Sequence, residues 1–467
     1  MRAPAPSLRE PGRILLLSCY DMGQQPGGLA SAAAFLQQAG FRPALADLSI
    51  DPLEPEPVRR AALVALYVPM HTALLLALRA AEGIRRVHPA AHVCFYGLYA
   101  PLNAELVLAG AGDSVIGGEF EVPLVALAEA LEAGEATQPA GVAFPGAPAA
   151  PRLARTRFPV PAREALPPLE RYARLAHGGT ERLAGRVEAS RGCKHLCRHC
   201  PIPPVYGGRF FVVPREVVLA DIDALVAQGA RHITFGDPDF LNGPRHALEI
   251  MRGLHARHPG VTFDATIKVE HLLRYRHLLP ELARCGCLFI VSAVESLSDE
   301  VLAHLDKGHT RADATEALAL TRAAGIALRP TFVAFTPWTR LEDYLALLDF
   351  IAAEGLLHHV DPVQLSLRLL VPPGSSLLDS EAFAPFRGEL DREALTYRWR
   401  HPDPRMDDLQ REVAAIVEEA ARDEAPAEAT FTRVLGAARA AAGAPDGAPW
   451  AMGAAPPAPR LTEAWFC

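Results

Sequence analysis

Strand-length apolar runs alternate with helix-length segments twice along this chain, and that order leaves few folds open. Ile14-Leu15-Leu16-Leu17 is a continuous apolar run, as suits a parallel strand buried on both faces. Gly27-Gly28 opens a helix through Gln38 that Gly40 closes, and Ala44 to Leu48 and Ala62 to Tyr67 follow as strands. The helix Thr72 to Val87 leads to the strand His92 to Tyr96 and then to Val115-Ile116. This order predicts an open, doubly wound α/β sheet over residues 1–135.

Residues 136–180 are rich in Pro, Ala and Gly (QPAGVAFPGAPAAP, then FPVPAREALPP) and read as an extended linker. A second strand–helix series spans 181–378. Its strands are read at Arg186–Ala189, His232–Phe235, Thr262–Thr266, Leu288–Ala293, Ala327–Phe335 and Val363–Leu370, with helices such as Pro214–Gln228 and Arg340–Glu354 between them. Six such units predict a partial (β/α)6, TIM-like parallel barrel, whose chemistry belongs at the carboxyl ends of the strands. Residues 379–440 carry a helical pattern. Residues 441–467 are Ala/Pro/Gly-rich, and a mobile tail ending in Cys467 is expected.

The net charge of −8 comes without a long single-sign block, so no nucleic-acid partner is expected. The amino terminus lacks the apolar run of a signal peptide, and no stretch approaches the roughly 18 uninterrupted apolar residues of a membrane span. A cytoplasmic protein is expected, in which the eight cysteines stay reduced.

Three of those cysteines fall in Ser190-Arg191-Gly192-Cys193-Lys194-His195-Leu196-Cys197-Arg198-His199-Cys200, with CxxxCxxC spacing, directly after the first barrel strand. Three thiolates this close can wrap one corner of a cuboidal iron–sulfur cluster, and the next cysteine is far off at Cys285. A [4Fe–4S] cluster with three protein ligands keeps one iron open for a small molecule. The alternative is zinc held by the same cysteines with His195 or His199, which would make the chain a zinc-organised binding protein without turnover. Zinc knuckles usually pair two CxxC arms, however, and this loop has one uneven arm.

This loop, in this place, resembles that of the radical S-adenosylmethionine superfamily over roughly Arg186 to Leu370. The resemblance implies an oxygen-sensitive enzyme whose cluster, on Cys193, Cys197 and Cys200, binds S-adenosylmethionine and cleaves it reductively to a 5′-deoxyadenosyl radical. It also implies a flavodoxin- or ferredoxin-type electron donor and a small-molecule or peptide substrate. Phe235-Gly236-Asp237-Pro238-Asp239-Phe240 resembles the family's glycine-rich stretch, with Asp237-Pro238 replacing a second glycine and glutamate. That makes Gly236 and a carboxylate at Asp237 or Asp239 candidates for the methionine amino group, or the stretch an ordinary strand-to-helix turn. Val291-Ser292-Ala293-Val294-Glu295-Ser296 makes Ser292 and Glu295 candidates for the ribose, or Glu295 the start of a helix. Arg329, a cation in an apolar strand, needs an anion; the methionine carboxylate, or Glu295 or Glu270, are the partners considered. Lys268 is a similar, less specific case.

The order of domains resembles the cobalamin-binding group of that superfamily. Many cobalamin proteins of this fold offer a DxHxxG histidine after the first strand, whereas Ser18-Cys19-Tyr20-Asp21-Met22-Gly23 has none. A base-off mode, a domain that has lost cobalamin, and a cobalamin-dependent radical methyltransferase all stay open. His71 reads as a turn residue, and Cys19, Cys94, Cys285 and Cys287 as structural. Trp465-Phe466-Cys467 resembles the tails of a radical S-adenosylmethionine family ending in Cys-selenocysteine-Ala-Glu-Pro or Cys-Cys-Ala-Glu-Pro. If so, a UGA selenocysteine codon follows Cys467 and a thiol–selenol arm serves the active site.

Overall fold

The computed structural model describes residues 7–135, 137–443 and 457–463. Cys467 and most of the expected tail lie outside the described residues. In the first sheet, β1 (Ile14–Ser18), β2 (Ala44–Asp47), β3 (Leu63–Tyr67), β4 (His92–Tyr96) and β5 (Ser114–Ile116) run parallel, and β6 (Val142–Ala143) adds an antiparallel edge. Every residue of β1 and β3 is buried, which explains why these strands read as unbroken apolar runs. Alternate residues serve opposite faces. Ile14, Leu16, Leu63 and Ala65 pack with the helices Gly27–Gln38 and Glu121–Ala133, while Leu15, Leu17, Val64 and Leu66 pack with His71–Val87. Each buried leucine contributes about 2 kcal/mol by area. The strand order β2-β1-β3-β4-β5 puts the topological switch point between β1 and β3, where ligands of such sheets bind.

The second sheet begins with a hairpin, β7 (Arg174–His177) and β8 (Thr180–Val187). A smaller hairpin, β9 (Ser190–Gly192) and β10 (Phe210–Val212), frames the cysteine loop. Then β11 (His232–Phe235), β12 (Thr262–Thr266), β13 (Cys287–Glu295) and β14 (Ala327–Phe332) continue β8 as five parallel strands in chain order. The first barrel strand therefore starts earlier than Arg186, because its outer half pairs with β7.

The sixth strand expected at Val363–Leu370 does not form. Pro362–Leu365 is a 3-10 turn, and Arg368 joins Phe335 through a single parallel bridge. The Gln364 side chain takes the Phe332 N–H at 3.0 Å, in place of a backbone ladder partner. The region after the barrel is not wholly helical either: β15 (Arg387–Asp391) and β16 (Thr396–Trp399) form a hairpin before the helices Pro404–Arg422 and Ala427–Ala441. Those helices share the barrel's core through Met406, Leu409, Val413, Phe431 and Val434. Within the expected mobile tail, β17 (Arg460–Leu461) pairs antiparallel with β7, so residues 457–463 are seated on the sheet edge.

Buried ion pairs join the two sheets. Arg163 grips Asp221 through Nε at 2.5 Å and Nη2 at 2.8 Å, and also donates to Gln25. Arg186, on β8, pairs with Asp21 in the loop after β1. Arg191 donates to Glu121 at 2.6 Å and Glu188 at 2.9 Å. Charges this deep hold geometry rather than add net stability, because desolvation offsets much of their attraction.

Candidate active site at the barrel mouth

The cysteine loop leaves β9 at Gly192, where φ is +75° and a Cβ would lie 2.4 Å from the Arg209 carbonyl oxygen; only glycine fits. Neighbouring segments pin the loop. The Asn242 Oδ1 accepts from Lys194 N at 3.3 Å, the Leu305 carbonyl from Arg198 N at 3.0 Å, and the Cys197 carbonyl from Cys200 N at 3.2 Å. Cys193, Cys197 and Cys200 are thus gathered at the carboxyl ends of the strands, Cys197 buried and the others half-buried. Burial pushes the Cys200 thiol up to about 12 and raises Cys193. An arriving metal therefore displaces protons that are otherwise firmly held. The buried Lys307 ammonium faces Cys197 and Cys200 and favours their thiolates once formed.

Thiolates on one tetrahedral zinc stand about 3.8 Å apart, from Zn–S bonds of about 2.3 Å. Among the described residues the sole threefold set of His, Cys, Asp and Glu ligand atoms grouped as able to hold one ion is a different one, taken up below. A cuboidal cluster takes each thiolate on a separate iron and does not require the three sulfurs to converge on one ion.

The other expected residues divide. Gly236 has the Arg186 Nε 2.4 Å from where a Cβ would stand, so its lack of a side chain lets that arginine cross. Asp237 is occupied: its oxygens accept from Ala189 N at 2.8 Å and Ser190 Oγ at 2.6 Å, and burial raises its carboxyl to about 7. It braces the cysteine loop, each of its oxygens already accepting one hydrogen bond. Ser292 is fully buried in β13 with its hydroxyl unpartnered.

Glu295 ends β13 in the left-handed region, φ +67°, a costly conformation for a non-glycine residue. Its Oε1 accepts from His199 Nε2 at 3.1 Å and from Lys307 Nζ at 3.2 Å. Burial alone would raise this carboxyl; Lys307 first and then His199 outweigh it and hold it at about 2. The glutamate therefore ties β13 to the cysteine loop instead of starting a helix.

Arg329 meets neither Glu295 nor Glu270 but Asp361, at 2.9 Å, and the His358 carbonyl at 3.2 Å. Arg329 lies opposite Val291, while Glu295 lies opposite Phe332, three residues or about 10 Å further along the sheet. Lys268 sits between Glu270 at 3.4 Å and His195 Nδ1 at 3.0 Å.

Inside the half-barrel a cavity of about 140 Å3 is lined by apolar residues such as Phe235, Phe289 and Val291 and by the polar Arg186, Asp264 and Arg329. Arg460, Leu461 and Glu463 cover its open side, and Glu463 accepts from the Tyr20 hydroxyl at 3.1 Å.

The switch-point crevice of the first sheet leaves little room for a corrin. The Tyr67 ring covers Gly28, with its Cζ 2.3 Å from the glycine's would-be Cβ, and packs in turn with Tyr96 and Phe120. The cavity between this edge and the cysteine loop measures about 130 Å3, below the several hundred typical even of drug-sized ligands. No histidine stands in the loop after β1, and His71 Nε2 donates to the Ala394 carbonyl at 2.9 Å, as a turn residue. In this arrangement the switch-point crevice itself is too small for a corrin. Cys19 and Cys94 are buried, their thiols raised to about 12 by that burial.

Sequence reasoning missed Lys307, His199 as a contact of Glu295, Asn242, and the bracing role of Asp237. Lys307 lies in the polar stretch Asp306-Lys307-Gly308-His309-Thr310-Arg311, so nothing in the local pattern marked it.

Residues 187–350 match the family model of the radical SAM superfamily, which spans most of the barrel. Members of that superfamily are enzymes, and the match implies a [4Fe–4S] cluster and S-adenosylmethionine. The bacteriochlorophyllide d C-12(1)-methyltransferase of Chlorobaculum tepidum is 28% identical over 139 residues, 28% of this chain and 29% of that protein. The chain spans less than half the length of the curated relatives it matches. The fold is that of the cobalamin-dependent S-adenosylmethionine radical enzyme OxsB, solved with aqua-cobalamin and S-adenosylmethionine, at TM-score 0.71 and 15% identity over 88% of this chain and 67% of that one. The radical S-adenosylmethionine methyltransferase TsrM of Kitasatospora setae, solved with cobalamin and a [4Fe–4S] cluster, aligns at TM-score 0.59 and 19% identity over 73% of each chain.

Proposed function

We propose that the chain is a radical S-adenosylmethionine enzyme whose [4Fe–4S] cluster is held by Cys193, Cys197 and Cys200, acting on a small-molecule or peptide substrate. The observation that carries the reading is the gathering of these thiols on one braced loop at the mouth of a parallel half-barrel. When bound, the cluster and S-adenosylmethionine supply reductive cleavage of the sulfonium and a 5′-deoxyadenosyl radical, drawing an electron from a flavodoxin- or ferredoxin-type donor. Glu295 stays ionised at neutral pH, and both of its partners use Oε1, which leaves Oε2 to accept from ribose hydroxyls. Ser292 offers an unpartnered hydroxyl on the same strand. Arg329 is committed to Asp361 and supports the cavity wall, not the methionine carboxylate. The test is anaerobic: iron, sulfide, S-adenosylmethionine and dithionite, with 5′-deoxyadenosine measured by chromatography. The wild-type chain should form it and the triple Cys193→Ala/Cys197→Ala/Cys200→Ala variant should not. Stoichiometric zinc with no iron or sulfide would instead support the non-enzymatic zinc reading.

A second reading, cobalamin-dependent methyl transfer, is favoured by the architecture shared with OxsB and TsrM. The aromatic filling at Tyr67, Tyr96 and Phe120 weighs against it. Retention of one equivalent of hydroxocobalamin through gel filtration would reverse that judgement. The tail reading rests on Trp465-Phe466-Cys467 and is supported by Glu463 lying beside Tyr20 and Gly23, near both domains. The codon after Cys467 decides it: UGA or a second Cys codon supports the reading, and TAA or TAG ends it.

A further inference from the structure

Three loops at the barrel mouth bring together a set of side chains that the cluster does not use. His195 stands between Cys193 and Cys197, Asp239 follows β11, and His271 lies on the short helix Val269–Arg274 after β12. Their ligand atoms all lie within 4.8 Å of one another. Asp239 Oδ2 is 2.6 Å from His271 Nδ1 and 3.5 Å from His195 Nε2. The Asp239 and His271 side chains are 2% and 5% exposed, and that of His195 14%. Despite this proximity, His195 Nε2, Asp239 Oδ2 and His271 Nδ1 each lack a hydrogen-bond partner of acceptable geometry.

Leaving one buried polar atom unsatisfied costs about 1–3 kcal/mol, so three at one point ask for something between them. Surrounding contacts fix the orientation. Asp239 Oδ1 accepts from Leu241 N at 3.2 Å, which turns Oδ2 toward the histidines. His195 Nδ1 lies 3.0 Å from Lys268 Nζ and 3.5 Å from Glu270 Oε2. A cation at His195 Nε2 moves the ring proton to Nδ1, where Glu270 accepts it and Lys268 keeps only its own pairing with Glu270, at 3.4 Å.

We propose that His195, Asp239 and His271 bind one divalent first-row transition-metal ion, separate from the cluster, that ties the cysteine loop to the ends of β11 and β12. Two imidazoles and one carboxylate suit zinc or ferrous iron, with further positions free for water. Because His195 sits inside the cysteine loop, the ion presets the loop for the thiolates on either side. The site goes beyond the radical reading and does not depend on it.

The experiment adds Co2+ as probe to the full-length Cys193→Ala/Cys197→Ala/Cys200→Ala chain, which has no cluster thiolates. The expected result is one equivalent bound, with visible d–d absorption and no thiolate-to-cobalt charge-transfer band, and its loss on adding Asp239→Asn or His271→Gln. No bound Co2+, or binding unchanged by those substitutions, overturns the proposal. Should the thiol-free chain not fold, the cluster-loaded wild type decides: one equivalent of metal beyond the four irons, absent from Asp239→Asn with its iron and sulfide intact, supports the site. No excess metal overturns it. Failure of the cluster to assemble would count against the radical reading and leave the cobalt result standing.

Discussion

Replacing Lys307 by methionine removes the cation that keeps Glu295 ionised in a buried place. Glu295 is 7% exposed and Lys307 3%, so the partner left behind cannot turn to bulk water. Holding this carboxyl at about 2 instead of an ordinary 4.5 corresponds to about 3 kcal/mol. Breaking a buried pair from one side generally costs about 3–5 kcal/mol. We therefore expect Lys307→Met to lower the unfolding free energy by about 3 kcal/mol at pH 7. Changing Glu295 to glutamine as well should return about 2 kcal/mol, because an amide in that position carries no charge. Urea denaturation of the anaerobic, cluster-free chain measures all four corners of the cycle. The sign with pH follows from the depressed value: the contribution is present above pH 4.5 and drains away as pH falls toward 2. Wild type should therefore lose stability between pH 5 and pH 3 that Glu295→Gln does not lose. A cost below about 1 kcal/mol for Lys307→Met, or a double variant no more stable than the single one, would refute the reasoning.

Other expectations concern the braces around the loop. Asp237→Ala should cost about 2 kcal/mol, since it orphans the buried Ala189 N–H, and a urea titration measures it. The raised Asp237 carboxyl works in the opposite direction with pH: its stabilisation is full below 3.8 and is lost as pH rises through about 7, a fall that Asp237→Asn should not show. Arg163→Met strands Asp221 in the domain interface and should cost about 3–5 kcal/mol by the same titration, with Arg163→Met/Asp221→Asn recovering part of it. Each single Cys193→Ala, Cys197→Ala or Cys200→Ala change should cut cluster iron and sulfide sharply, by elemental analysis, while the far-ultraviolet dichroism stays that of wild type.

The first sheet was legible because a parallel strand buried on two faces reads as an unbroken apolar run. Ile14–Ser18 and His92–Tyr96 carry that signal and form where read, while His232–Phe235 and Thr262–Thr266 alternate polar and apolar residues and were placed by the strand–helix order alone. Val363–Leu370 instead alternates apolar and polar residues like a half-buried strand, but the strand gives way where Gln364 caps β14 with its side chain and Pro362 sets a 3-10 turn. Composition overstated the looseness of the tail: Arg460–Leu461 finds an open edge at β7, which no local pattern announces. The cluster thiols were legible because all three lie on one loop. The partners of Glu295 were not, because His199 and Lys307 reach it from opposite sides in the fold, 96 residues before and 12 after it. Arg329 signalled its need for an anion, yet the choice of Asp361 depends on strand register, which the sequence does not state.

The central claim is an open iron on a cluster held by three thiolates. Electron paramagnetic resonance of the anaerobic chain, loaded with iron and sulfide and reduced with dithionite, tests it most directly when spectra are taken with and without S-adenosylmethionine. A reduced [4Fe–4S] signal that shifts on adding S-adenosylmethionine, and is missing from the triple alanine variant, is the predicted result. A signal indifferent to S-adenosylmethionine, or a chain that takes up zinc and no cluster, would contradict it.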